Sequence, residues 1–182
     1  MARDRYDSVA MSLHWLMAAA ILGLLGLGFV MTGLKPGSPL QFKLYQLHKS
    51  VGALVFVAAL ARLGWRLGHR PPPLPAAMGS AERRLAHAGH WALYALMLGL
   101  PLAGWAVVST SPYNIPTVLF GLVGLPHLPL PRDLNAAAKG AHLIGAWLLL
   151  ATLAGHVAAA LRHHFVLRDD VLTRMLPRFG RE

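Results

Sequence analysis

Cysteine is absent from the 182 residues. That absence excludes disulfides, thiolate-ligated iron–sulfur clusters and haem attached covalently through a Cys-x-x-Cys-His motif. Charge is nearly as scarce. Only 13% of residues are charged, against about a quarter in an average soluble domain. Seven residues are acidic, and none of them falls inside the long apolar runs described below. With 55% of the chain hydrophobic, so few charges could not cover the surface of a water-soluble domain, and lipid is the natural solvent. The seventeen Lys and Arg residues leave a net charge of +10. They flank apolar runs and form no continuous basic face interleaved with aromatics, which argues against nucleic acid as a partner. The first apolar run is too long for a signal peptide and carries no small-residue cleavage site, so it reads as a retained helix.

Four runs have the length of roughly 20 residues that a bilayer-spanning helix needs. They cover about 11–33, 47–67, 85–108 and 137–163. Lys35-Pro36-Gly37 closes the first, and Gly68-His69-Arg70 with Pro71, Pro72, Pro73 and Pro75 closes the second. Pro101 lies inside the third as a kink that neighbouring helices can tolerate. A short apolar stretch, Thr117 to Leu125, is too short to span and is expected at the membrane interface. No internal repeat or domain linker is evident. The expectation is an all-α integral membrane four-helix bundle, with residues 1–182 as a single transmembrane domain.

An even number of spans puts both termini on one side. That side would carry Arg3, Arg5, Arg62, Arg66, Arg70, Arg83, Arg84, Arg162, Arg168, Arg174, Arg178 and Arg181. Lys35, Lys43, Lys49, Arg132 and Lys139 would lie opposite. Positive charge favours the cytoplasmic side, so both termini are expected there.

Ten histidines are present, and four of them form a pattern. His14 lies near the terminal-side start of the first span and His156 near the terminal-side end of the fourth. His48 lies near the opposite end of the second span, at the depth of His142 in the fourth. Two cross-helix pairs result, at two depths. His142 and His156 are fourteen residues apart, close to four helical turns, so both face one way about 21 Å apart along the axis. A b-type haem takes two neutral imidazoles axially, and bundle interiors are where such sites are built. Zinc is a weaker fit, because two imidazoles without carboxylate or thiolate do not complete a tetrahedron. The sequence therefore reads as a bundle enclosing two non-covalent haem b groups, with His14 and His156 on one iron and His48 and His142 on the other. Hydrogen bonding between helices is the ordinary alternative for any single intramembrane histidine.

Arg62 lies fourteen residues after His48, on nearly the same helical face but at the depth of the terminal-side pair. Intramembrane charge is usually paired, and a haem propionate is an anionic partner for it, with snorkelling to the headgroups as the alternative; Arg66 is read as snorkelling. Gly23, Gly26, Gly28, Gly52, Gly145 and Gly155 lie near the paired histidines or between the two levels, where glycine admits a flat macrocycle or ordinary close helix packing. His87 and His90, beside Arg83 and Arg84, could donate to propionates or sit at the interface. His69, His127, His163 and His164 fall in loops or at helix ends and are expected to be exposed.

Several stretches resemble one known family. They are Ser12-Leu13-His14-Trp15-Leu16, Leu47-His48-Lys49-Ser50-Val51-Gly52, Arg62 and Arg66 ahead of the prolines, and Ala86-His87-Ala88-Gly89-His90 with Leu93-Tyr94. His156-Val157-Ala158-Ala159-Ala160-Leu161-Arg162-His163-His164-Phe165 and the ending Leu172-Thr173-Arg174-Met175-Leu176-Pro177 complete the set. Together they resemble the bacterial cytochrome b561 family over nearly the whole chain, and within it a superoxide oxidase-like branch. The resemblance implies that His14, His48, His142 and His156 are the haem ligands. Lys139-Gly140-Ala141-His142-Leu143 departs from the family pattern in lacking the acidic residue expected just after the ligand.

The resemblance further implies a dihaem enzyme of the bacterial inner membrane that oxidises superoxide to oxygen at the periplasmic face and passes electrons to ubiquinone. Lys43, Lys49 and Lys139 flank the periplasmic-side ligands, with Asp133 as the one acidic residue there. Such a field attracts a small anion such as superoxide, although lysines also anchor helix ends. Two other classes stay open: a cytochrome b relay subunit serving a dehydrogenase or hydrogenase partner, and a haem-free structural protein or transporter. The last leaves the paired histidines unexplained. The sequence also leaves a homo-oligomer open.

Overall fold

The computed structural model describes residues 5–176. Arg3, Arg178 and Arg181 of the charge reading, and Pro177 of the ending quoted above, lie outside the described residues. Four helices dominate: α1 (Ser8–Gly33), α2 (Pro39–Gly68), α3 (Ser80–Ser109) and α4 (Asn135–Arg162). Each is long and apolar enough to cross a membrane.

Local chemistry sets their ends. Asp7 caps α1, its Oδ1 accepting from the Ala10 N–H at 2.9 Å. Ser38 caps α2 through the Gln41 N–H at 3.2 Å, with Pro39 in the first turn, where its missing N–H costs nothing. At the other end α2 stops just ahead of Pro71, Pro72 and Pro73, which cannot continue the hydrogen-bond ladder. The helices α2 and α3 begin one to two turns earlier than the apolar runs at 47 and 85, because polar caps and helix-tolerant residues extend them beyond the hydrophobic segment. Extension of α3 brings Glu82 into its first turn, so this helix, unlike its apolar run, does contain an acidic residue. Through Pro101 the helix continues to Ser109.

Close backbone packing joins α1 to α2, α2 to α3 and α3 to α4, whereas α4 has little of it with α1 or α2. Met17, Ile21, Val55, Ala59 and Leu149 form the buried core. Between 6% and 17% of the most apolar window of each helix is buried within the protein. So little burial leaves most of the apolar side chains to lipid, as a membrane bundle requires.

The connection between α3 and α4 is folded back onto the bundle. Its short apolar stretch forms an antiparallel hairpin, β1 (Thr117–Leu119) with β2 (Val123–Leu125), the one sheet among the described residues. Phe120 and Gly121 at its tip have φ of 52° and 73°, as a tight turn matched to strand twist demands. A bulky residue in that region is uncommon; here the Phe120 N–H donates to Ser50 Oγ at 2.9 Å. Gln46 donates to the Pro116 carbonyl at 2.9 Å and accepts from the Val118 N–H at 3.3 Å. The hairpin is thus fastened to α2 on both sides of His48.

Beyond α4, one π-helical turn (His163–Leu167) ends at Arg168 with φ 55°. The chain then returns to the start of α1. There Trp15 Nε1 donates to the Met175 carbonyl at 2.8 Å, and Arg5 donates to the Leu176 carbonyl.

Candidate cofactor site

The structure brings together both histidine pairs that the depths of the spans predict. His14 and His156 face each other with ring centroids 6.2 Å apart and planes at 61°. His48 and His142 do so at 6.3 Å and 73°. Ligated imidazole nitrogens sit about 2 Å from a first-row metal, with the ring centre about 1 Å behind, so two imidazoles gripping one ion from opposite sides have centroids roughly 6 Å apart. Both pairs have that spacing. Rotation of one ring about the shared axis leaves both nitrogens on the ion, so the interplanar angles are compatible with it as well. The buried core, with Met17 and Ile21 on α1, Val55 and Ala59 on α2 and Leu149 on α4, lies between the two levels.

A further feature marks each ring of the level far from the termini. His142 Nδ1 is 3.1 Å from the Leu100 carbonyl. Since a carbonyl only accepts, this nitrogen carries a proton, and in the neutral ring that leaves the lone pair on Nε2, the arrangement that a metal-binding imidazole needs. The orienting partner comes from the backbone of α3. Gly104 makes the approach possible: a Cβ there would lie 3.2 Å from His142 Cε1 and 3.4 Å from Nδ1. His48 Nδ1 is buried and has no hydrogen-bond partner among the described residues, a condition that buried polar atoms avoid unless something other than protein completes the site.

Of the glycines read as cofactor neighbours, only Gly28 borders a paired histidine, with 3.8 Å between its would-be Cβ and His48 Cε1. Gly145 instead receives Leu100, whose Cδ2 would be 2.9 Å from a Cβ. Gly23, Gly26, Gly52 and Gly155 have nothing within 4 Å of that position. Neither Gly104 nor Leu100 was singled out by the sequence; Pro101 beside them was the available signal.

At the terminal level a third imidazole joins the pair. His90 on α3 is half-buried, its ring centroid 5.5 Å from that of His156, whereas His87 is exposed. Arg62 is half-buried and within electrostatic reach of both His14 and His156. At the far end Lys43 and Lys139 are exposed and Lys49 is half-buried.

His163 corrects the sequence reading, which expected it exposed. It is 5% exposed. Its Nδ1 is 2.5 Å from Asp169 Oδ2 and its Nε2 is 3.4 Å from Glu82 Oε1, which also meets Arg162 at 2.7 Å. Helix-end position alone could not show this burial, because it depends on the π-helical turn and on α3 starting early enough to present Glu82. Burial acts to raise the Asp169 pKa, but hydrogen bonds from His163 and the Val171 N–H outweigh it and hold the carboxyl below its ordinary value.

Comparison with known proteins agrees with this architecture. The family model for prokaryotic cytochrome b561 matches residues 5–178. Cytochrome b561 homolog 2 of Escherichia coli (strain K12) is 34% identical over 175 residues, covering 95% of this chain and 92% of that protein. The probable superoxide oxidase CybB of Yersinia pestis is 30% identical over 175 residues, or 96% and 97% of the two chains. Cytochrome b561 homolog 1 of E. coli (strain K12) is 26% identical over 176 residues, or 96% and 98%. Four apolar helices and a match running almost end to end lead to one conclusion: the chain belongs to the prokaryotic cytochrome b561 family, membrane cytochromes whose cofactor is b-type haem.

Proposed function

We propose that this protein is a dihaem cytochrome of the bacterial inner membrane, with both termini cytoplasmic, that oxidises superoxide to oxygen at the periplasmic face and reduces ubiquinone. The observation that carries this reading is the pair of imidazole couples, 6.2 and 6.3 Å across, on two levels separated by an apolar core. His14 and His156 would hold one haem and His48 and His142 the other, with Arg62 beside the first. When bound, each haem supplies a one-electron redox centre.

The protein's own residues do the rest. Leu100 fixes the His142 tautomer and Gly104 gives that ring room. The core side chains exclude water between the levels. Lys43, Lys49 and Lys139 place positive charge at the periplasmic end, where it raises the encounter rate of a small anion. The net reaction balances: two superoxide anions each lose one electron to become oxygen, and one ubiquinone takes two electrons and two protons to become the quinol. The likeness to a protein named as a probable superoxide oxidase supports this branch of the family. So does the α3–α4 connection, because a loop bound down on α2 by Gln46 and Ser50 is not an extended arm for docking a dehydrogenase.

Purified protein mixed with a superoxide source and a quinone analogue should show rapid reduction of haem followed by quinol formation. Haem that a dehydrogenase partner reduces but superoxide does not would instead make the protein a relay subunit.

A further inference from the structure

At the terminal end, α1, α2 and α3 enclose a cavity of about 30 Å³ whose lining includes Arg5, Tyr6, Arg62, Arg66, Arg70 and Tyr94. Four guanidinium groups converge there. Among the described residues the one carboxylate in the lining, Asp7, is engaged by the Ala10 N–H at 2.9 Å and by Trp65 Nε1 at 3.1 and 3.2 Å. His69, also in the lining, is stacked on Trp65 at 3.9 Å. Among the described residues no carboxylate pairs with Arg62, Arg66 or Arg70. Arg66 lies over the Tyr94 ring at 6.0 Å, and Tyr94 is buried.

Arg62 and Arg66 are half-buried, charged groups at a membrane bundle's edge are usually paired, and the lining carboxylate, held by the Ala10 N–H and Trp65, does not pair with them. The size of the cavity limits the choice of anion. One water-sized group needs about 10–15 Å³ of such space, so the cavity takes two or so. That is room for the oxygens of a carboxylate or a phosphate and too little for a quinone ring. Its position narrows the choice again. Ala10 in its wall is one turn from His14, and Arg62 reaches electrostatically to His14 and His156. Burial raises the Tyr6 hydroxyl above its ordinary pKa despite the opposing pull of Arg66 and Arg62, so Tyr6 stays a protonated donor facing those arginines.

We infer that this cavity is an oxyanion seat, in which Arg66 and Tyr6, together with Arg62, receive the propionate carboxylates of the haem held at the His14 level. Arg66 is therefore a cofactor-positioning residue and not a snorkelling one, as its place in the sequence had indicated. The inference rests on the two-haem reading above, and the test separates the two.

His48→Ala should leave only the terminal-level haem, and His14→Ala only the other. Should the single variants not each lose one haem, the two-haem reading itself fails. In the His48→Ala background, Arg66→Gln should speed transfer of haem to a scavenging apoprotein about tenfold, the effect of losing one charge-assisted hydrogen bond. Its reduction potential should also shift downward. Tyr6→Phe should do the same more weakly, and Arg66→Lys should recover the potential through its charge. Neither change should affect the haem that remains in His14→Ala. Equal effects in both backgrounds would overturn the assignment. So would unchanged haem transfer and potential in Arg66→Gln accompanied by loss of a co-purifying anionic phospholipid, which would make the oxyanion a lipid phosphate.

Discussion

Gly104→Ala isolates the contact on which the far-level site depends. A Cβ at this position would stand 3.2 Å from His142 Cε1 and 3.4 Å from Nδ1, tighter than side chains normally tolerate. Relief requires the imidazole to withdraw by a few tenths of an ångström, out of a hydrogen bond to the Leu100 carbonyl that is already 3.1 Å long. Loss of an orienting partner of this kind costs about 10–100-fold in metal affinity, or roughly 1.4–2.8 kcal/mol. The same substitution within a helix has the opposite effect on the backbone, since alanine is favoured over glycine by about 0.5–1 kcal/mol. Without haem, the helix gain and the lost hydrogen bond, about 0.5–1.5 kcal/mol, are of similar size, so the variant should melt close to the wild type. With haem, titration followed by the reduced-minus-oxidised spectrum should show one of two sites weakened about 10–100-fold. Gly33→Ala is the control, because nothing lies within 4 Å of its would-be Cβ and it sits at the end of α1. Wild-type haem affinity in Gly104→Ala, or an equal loss in Gly33→Ala, would refute the reasoning.

Three other outcomes are expected. His14→Ala and His48→Ala should each halve the haem-to-protein ratio and remove different absorbance components; a variant that keeps both haems would overturn the ligand assignment. Replacing Lys43, Lys49 and Lys139 by glutamine should lower the second-order rate of haem reduction by superoxide and flatten its dependence on ionic strength, so an unchanged salt profile would remove the lysines from the reaction. Asp169→Asn should lower the melting temperature at neutral pH. Because the folded carboxyl titrates below its ordinary value, its contribution is full above the unfolded pKa near 4 and is lost as pH falls through the folded one. Wild type and variant should thus converge in acid, and a gap independent of pH would exclude the carboxylate's hydrogen bond with His163 as its source.

Much of this protein was legible from order along the chain alone. Length and apolarity specify the four spans, because a bilayer sets a minimum run of hydrophobic residues whatever the tertiary fold. The matched depths of His14 with His156 and His48 with His142 follow from helix rise and direction, which are properties of the backbone. Depth says nothing, however, about rotation or about which helices approach closely. Only the packed structure decided that Leu100 and Gly104 on α3 support His142 and that His90 joins the terminal level. It also decided the burial of His163, which needs Glu82 from the start of α3, and the gathering of Arg5, Arg62, Arg66 and Arg70 around one cavity. Each of these depends on contacts between distant segments, and a periodic pattern within one helix carries no record of what its neighbour presents.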